Sequence, residues 1–112
     1  MLVGCSVQRT PLPNGIYQPT NGPERVIVQG QKIRFIVQLD TKRTNLFDQT
    51  YENHSVWPNG KIQPFPMREA DAILGIGRFY WLWDGTNINR TNRMNPINPI
   101  TGDKVVFFRQ TQ

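Results

Sequence analysis

The stretch RVIVQGQKIRFIVQL, residues 25–39, decides the fold class. In its second half Ile33, Phe35, Val37 and Leu39 alternate with Arg34, Ile36 and Gln38. A period of two sends alternate side chains to opposite faces, the pattern of a half-buried strand. The apolar run Val26-Ile27-Val28 precedes it, and Gly30-Gln31-Lys32 supplies the turn between them, so the stretch reads as a β-hairpin.

Upstream, Asn21-Gly22-Pro23 marks another turn, and Ile16-Tyr17-Gln18 forms a short strand that opens the folded part near Asn14-Gly15. Residues 6–13, SVQRTPLP, are polar and hold two prolines, and they read as an extended tether. The expected organisation is therefore 1–13 as an N-terminal tether and 14–112 as a single β domain.

Downstream, DTKRTN at 40–45 is a polar loop. Over residues 46–57 alternation returns, with Phe47, Tyr51 and Trp57 on one parity and Asp48, Glu52 and His54 on a solvent parity. Pro58-Asn59-Gly60 then turns the chain into Lys61-Ile62-Gln63, a second hairpin, while Pro64 and Pro66 confine that strand to an edge. MREADAIL, 67–74, is the one candidate helix, and Gly75-Ile76-Gly77 reads as a bend at a barrel corner. RFYWLW, 78–83, is apolar on both parities and reads as a central strand. Asp84-Gly85 turns into a return strand over 87–92, residues 92–103 form a loop with Asn-Pro-Ile twice in succession, and 104–110 is the last strand.

These signals sum to an all-β fold, a small antiparallel meander of about seven or eight strands forming a barrel or a sandwich. A small closed or nearly closed barrel is favoured over a Greek-key sandwich, because consecutive hairpins lead to an up-and-down meander. At 112 residues and 13.0 kDa there is room for one core. No stretch reaches the ~20 apolar residues that span a bilayer. The net charge of +5, with nine Arg among the thirteen cationic residues, favours anionic partners but is dispersed, with no polybasic arm. One Cys allows no internal disulfide, and a lone His with one Cys provides no zinc-type ligand set. No metal and no cofactor are expected.

Catalytic chemistry finds little support. Glu52 and His54 share a strand parity that could make an acid/base pair, although exposed neighbours of this kind are common. Ser6 and Ser55 lie outside any nucleophile elbow, and Glu69 with Asp71 read as acids at a helix start. The chain is expected not to be an enzyme. In RFYWLW the parity of Phe79, Trp81 and Trp83 reads as core, which leaves Arg78, Tyr80 and Leu82 outward as the binding candidates. The triads Asn53-His54-Ser55 and Asn89-Arg90-Thr91 match a glycosylation pattern that matters only in a eukaryotic secretory route.

The opening residues add a cellular expectation. Leu2-Val3-Gly4-Cys5, followed by Ser6, resembles the lipobox of bacterial lipoproteins, and Cys5 is the only cysteine. The resemblance covers six residues and implies diacylglycerol transfer to the Cys5 thiol and cleavage before it, so that the mature chain begins at Cys5. With three acyl chains the family is anchored stably, whereas a single chain holds only marginally. Ser after the cysteine implies the outer membrane, facing the periplasm. The resulting expectation is a non-enzymatic envelope lipoprotein. Its partners are the membrane through the anchor and, through the domain, a protein, an anionic envelope polymer or a small apolar ligand. The alternative is a soluble OB- or SH3-like module that binds nucleic acid.

Overall fold

A computed structural model describes residues 11–38, 46–92 and 104–110. The fold is all-β. Nine strands are present among the described residues: β1 Gly15–Gln18, β2 Arg25–Gln29, β3 Lys32–Val37, β4 Phe47–Tyr51, β5 Asn53–Val56, β6 Ile62–Phe65, β7 Phe79–Trp83, β8 Ile88–Asn92 and β9 Val105–Arg109. Helix α1, Glu69–Leu74, and a 3-10 turn, Ile76–Arg78, separate β6 from β7. The strand count exceeds the expected seven or eight because the run over 46–57 is two strands, β4 and β5, divided by a bend at Glu52.

Seven strands make one antiparallel sheet in the order β4-β3-β2-β1-β9-β8-β7, curled into a half-barrel, and β5 pairs with β6 separately. Two meanders, β1 to β4 and β7 to β9, are thus joined where the first strand meets the last, with Tyr17 opposite Arg109 and Gln18 opposite Phe108. The hairpin read in residues 25–39 is present, Val26 facing Phe35 and Val28 facing Ile33. Its even spacing works as expected: Ile33, Phe35 and Val37 are buried and Arg34 is exposed, while Leu39 lies outside the described residues.

The concave face of the sheet holds the core. Tyr17, Val26, Val28, Ile33, Phe35, Trp81, Ile88 and Phe107 all point into it. Trp81 is its hub, with ring centroids 4.9 Å from Phe35, 5.5 Å from Phe107 and 5.9 Å from Phe79 in edge-on and tilted arrangements. Such geometries set the positive ring edge against a negative face. The indole N–H donates to the Ile76 carbonyl at 3.0 Å, so the ring's one polar atom is satisfied inside the core.

Several sequence expectations need correction. His54 is not on the solvent side but 1% exposed, because the bend at Glu52 resets the parity between β4 and β5. The aromatic strand β7 is not central in its sheet but terminal, and its apolar outer parity is explained by the β5–β6 hairpin beside it. An isolated bridge, Lys61 to Leu82, and the bond from the Trp83 N–H to the Gly60 carbonyl at 2.7 Å join hairpin to strand. That approach requires glycine: Gly60 has φ +91°, and a Cβ there would lie 2.7 Å from the Trp83 carbonyl oxygen. Gly75 and Gly77 bend no strand. They carry the junction of α1 with the 3-10 turn, where a Cβ on Gly77 would run into the Ala72 carbonyl. Leu12, read as tether, is 3% exposed and belongs to the core.

A charged pair lies within this apolar interior. Arg90, on β8, sends its guanidinium among the rings of Phe79 (4.7 Å to the centroid), Phe107 (5.3 Å) and Trp81 (5.7 Å). It donates to a carboxylate oxygen of Glu24 at 2.6 Å, and the same oxygen accepts the Gln38 N–H at 2.9 Å. The two side chains are only 11% and 13% exposed, so the pair ties β8 to the start of β2 from inside the half-barrel. Rings stacked on a desolvated cation attract it through their quadrupoles.

Candidate functional site

The concavities of the described surface include three that differ in size and lining. The broadest, about 640 Å³, is an open groove on the outer face beside Ile16, Ile27 and Arg109. A second, about 210 Å³, lies between β4 and the start of α1. The third, about 170 Å³, sits between β6, α1, the 3-10 turn and β7, and it is the most enclosed. Ile62, Ile76 and Trp81 are its buried walls, Met67 and Tyr80 its half-buried ones, and Lys61 is the charged residue among its lining. Proteins bind small molecules in concave sites that combine apolar walls with a few placed polar groups, and this third pocket, a half-open cleft of mixed lining, has both.

The fold explains how these side chains converge. Lys61 of the hairpin bridges β7 at Leu82, Ala72 of α1 lines the gap between β6 and β7, and the Trp81–Ile76 bond locks the indole wall. The short helix is itself clamped from below. Asp71, 3% exposed, accepts the Tyr51 hydroxyl at 2.9 Å and two guanidinium bonds from Arg68 at 3.1 Å each. Burial, and then the Asp71 carboxylate, push the Tyr51 phenol well above its ordinary pKa. Asp71 is therefore a structural anchor, and Glu69 stands exposed apart from it.

Of the expected binding residues, Tyr80 lines the pocket. Leu82 shares its face of β7 two residues along and is bridged by Lys61, half-buried. Arg78 ends the 3-10 turn, exposed, and neither it nor Leu82 lines the pocket among the described residues. Cys5, the expected lipidation site, lies outside the described residues. Sequence reasoning missed Lys61, Met67 and Ile76, whose convergence depends on tertiary packing. Their one local signal was Gly60, the turn residue that lets the hairpin meet β7.

His54 and Glu52 do not form a pair. Glu52 is exposed and 3.9 Å from Lys32, whereas His54 is buried between backbone groups. Asn89 of the second glycosylation-like triad is buried, with its amide donating to Asp84 at 3.0 Å. No cluster of three or more His, Cys, Asp or Glu suited to a metal occurs among the described residues, and no helix there is long and apolar enough to cross a membrane. Comparisons with protein-family models, with curated proteins and with solved structures found no match to this chain.

Proposed function

We propose that the chain is a non-enzymatic binding protein whose β domain takes a small apolar ligand in the pocket between β6, α1 and β7. The indole-walled cleft carries this reading. An apolar cavity of about 150 Å³ accepts benzene, so a volume of about 170 Å³ suits one ring or a short branched chain. Lys61 at the wall would favour a ligand with an anionic end. The lipobox-like Leu2-Val3-Gly4-Cys5 supports placing this domain in a bacterial envelope, anchored through Cys5 at the outer membrane and facing the periplasm.

Two experiments test the two halves of the proposal separately. Toluene and benzoate titrated into methyl-labelled protein should shift the Ile62, Ile76 and Met67 signals saturably, and Met67→Trp, which fills the space, should abolish the response. Unmoved methyls at millimolar ligand would remove the pocket reading. Acyl labelling in a bacterial host, with native upstream DNA, should mark wild type and not Cys5→Ser. Label in neither would overturn the lipoprotein reading and leave Cys5 an incidental thiol. Oligonucleotide binding that falls steeply with salt would then favour the nucleic-acid alternative, with Arg78 and Tyr80 at the contact.

A further inference from the structure

His54 is a buried titratable side chain that the pocket does not use. Its Nε2 lies 2.9 Å from the Leu12 N–H, and its Nδ1 lies 2.8 Å from the Gln31 carbonyl. A backbone N–H can only donate and a carbonyl can only accept, so the two contacts together define a neutral ring protonated on Nδ1 and bare on Nε2. Leu12 is where the N-terminal chain enters the core, 42 residues away from the imidazole that holds it.

We infer that His54 is a proton-sensitive latch on the N-terminal entry segment: protonation at Nε2 turns the acceptor of the Leu12 N–H into a donor and releases Leu12 from the core. A proton added at Nε2 sets N–H against N–H, with no rotamer that keeps both bonds. The neighbouring contact does not share this sensitivity. The Tyr17 hydroxyl donates to the Pro13 carbonyl at 2.7 Å, and burial raises that phenol's pKa, so the bond survives acidification. The latch therefore frees one residue while its neighbour stays held.

The surroundings favour the neutral ring. Burial lowers the His54 pKa, and the bond to the Gln31 carbonyl only partly opposes this. The carboxylates on the elements packed around it are otherwise engaged, Glu52 with Lys32 at 3.9 Å and Asp48 with Arg34 at 2.7 Å. Opposite His54 on β6 stands Pro64, flanked by Gln63 and Phe65, none ionisable. On the entry side the cation Arg109 is held by the Asn14 carbonyl at 3.1 and 2.7 Å. A histidine held neutral in the closed form and free to charge in the open form favours the closed form fully above its open-state pKa. That advantage is lost as pH falls toward the closed-state value. Across this window one proton is taken up on opening, so the open fraction rises about tenfold per pH unit.

The test uses the full chain labelled with ¹⁵N, with amide exchange protection and the imidazole nitrogens followed from pH 7.5 down to 5. The expected result is an Nδ1–H ring at the upper end and Leu12 protection that falls about tenfold per pH unit below ~6.5, while β2–β3 amides keep theirs. His54→Gln, which offers an acceptor that does not titrate, should flatten the Leu12 response. Three wild-type outcomes would overturn the latch: an Nε2–H ring at pH 7.5, Leu12 protection constant to pH 5, or Leu12 and β2–β3 protection lost in step. If the variant does not fold, the wild-type comparison still decides.

Discussion

The Arg90–Glu24 pair invites removal of one partner at a time. In Glu24→Leu the Arg90 guanidinium stays among Phe79, Trp81 and Phe107 with no counter-charge, and the Gln38 N–H loses its acceptor. Stripping one member of a buried pair typically costs about 3–5 kcal/mol, since a desolvated charge is left uncompensated. Set against a total stability of about 5–15 kcal/mol, that is a large share. At about 4 °C per kcal/mol for a domain of this size, the melting point should fall by about 12–20 °C. Arg90→Met should cost a comparable amount by stranding the carboxylate. The double variant Glu24→Leu/Arg90→Met should lie much nearer wild type than the sum of the single losses, because apolar groups of similar volume need no partner there. Urea unfolding followed by tryptophan fluorescence measures all four corners of the cycle. Single losses below about 1 kcal/mol, adding linearly in the double, would show the pair behaving like an exposed one and refute the reasoning.

Other perturbations separate neighbouring causes. Gly60→Ala and Gly85→Ala both put a Cβ at positive φ, but only at Gly60 does it meet a backbone atom, the Trp83 oxygen. Urea midpoints should show about 1 kcal/mol lost at Gly85 and clearly more, toward about 3, at Gly60. Tyr51→Phe should lower stability by about 1–2 kcal/mol, because buried Asp71 keeps its two bonds from Arg68. Asp48→Asn, at an exposed pair, should change stability by under about 1 kcal/mol and lose even that in high salt. Asp84 accepts the N–H groups of Asn87 and Thr86 at 2.7 and 2.8 Å, bonds that depress its carboxyl pKa together with the Asn89 amide. Its contribution is therefore complete above the unfolded carboxyl pKa and disappears as pH falls through the folded one. Thermal melts of wild type and Asp84→Asn should converge in acid.

The hairpins are legible in the sequence because their signals are local. Alternation over 33–37 and the turn residues at Gly30, Asn59-Gly60 and Asp84-Gly85 each lie within a few residues of what they form. His54 was misplaced because its face was counted through Glu52, and a single bend inverts every parity after it. Glu24 and Arg90 stand 66 residues apart, and nothing in either neighbourhood marks the other. The pocket was half legible: aromatic parity singled out Tyr80, but Lys61 and Ile76 join it only through the packing of hairpin, helix and β7. Gly77 looked like a strand corner because a glycine pair does not reveal which close approach demands it.

The meeting of β1 with β9 has a consequence for how the chain is made. During synthesis β1 to β4 and β7 to β8 can each pair within themselves as they emerge. The strand that joins them, β9, emerges after both, so two part-sheets wait with open edges. Unpaired edges are templates for strands of other chains. A chain that stops before Val105 would keep both halves permanently in that state, with Tyr17 and Ile88 lacking their partners across the join. Termination before Val105 should therefore yield aggregate in place of a slightly shortened domain, and a cleavage site placed within β9 should do the same.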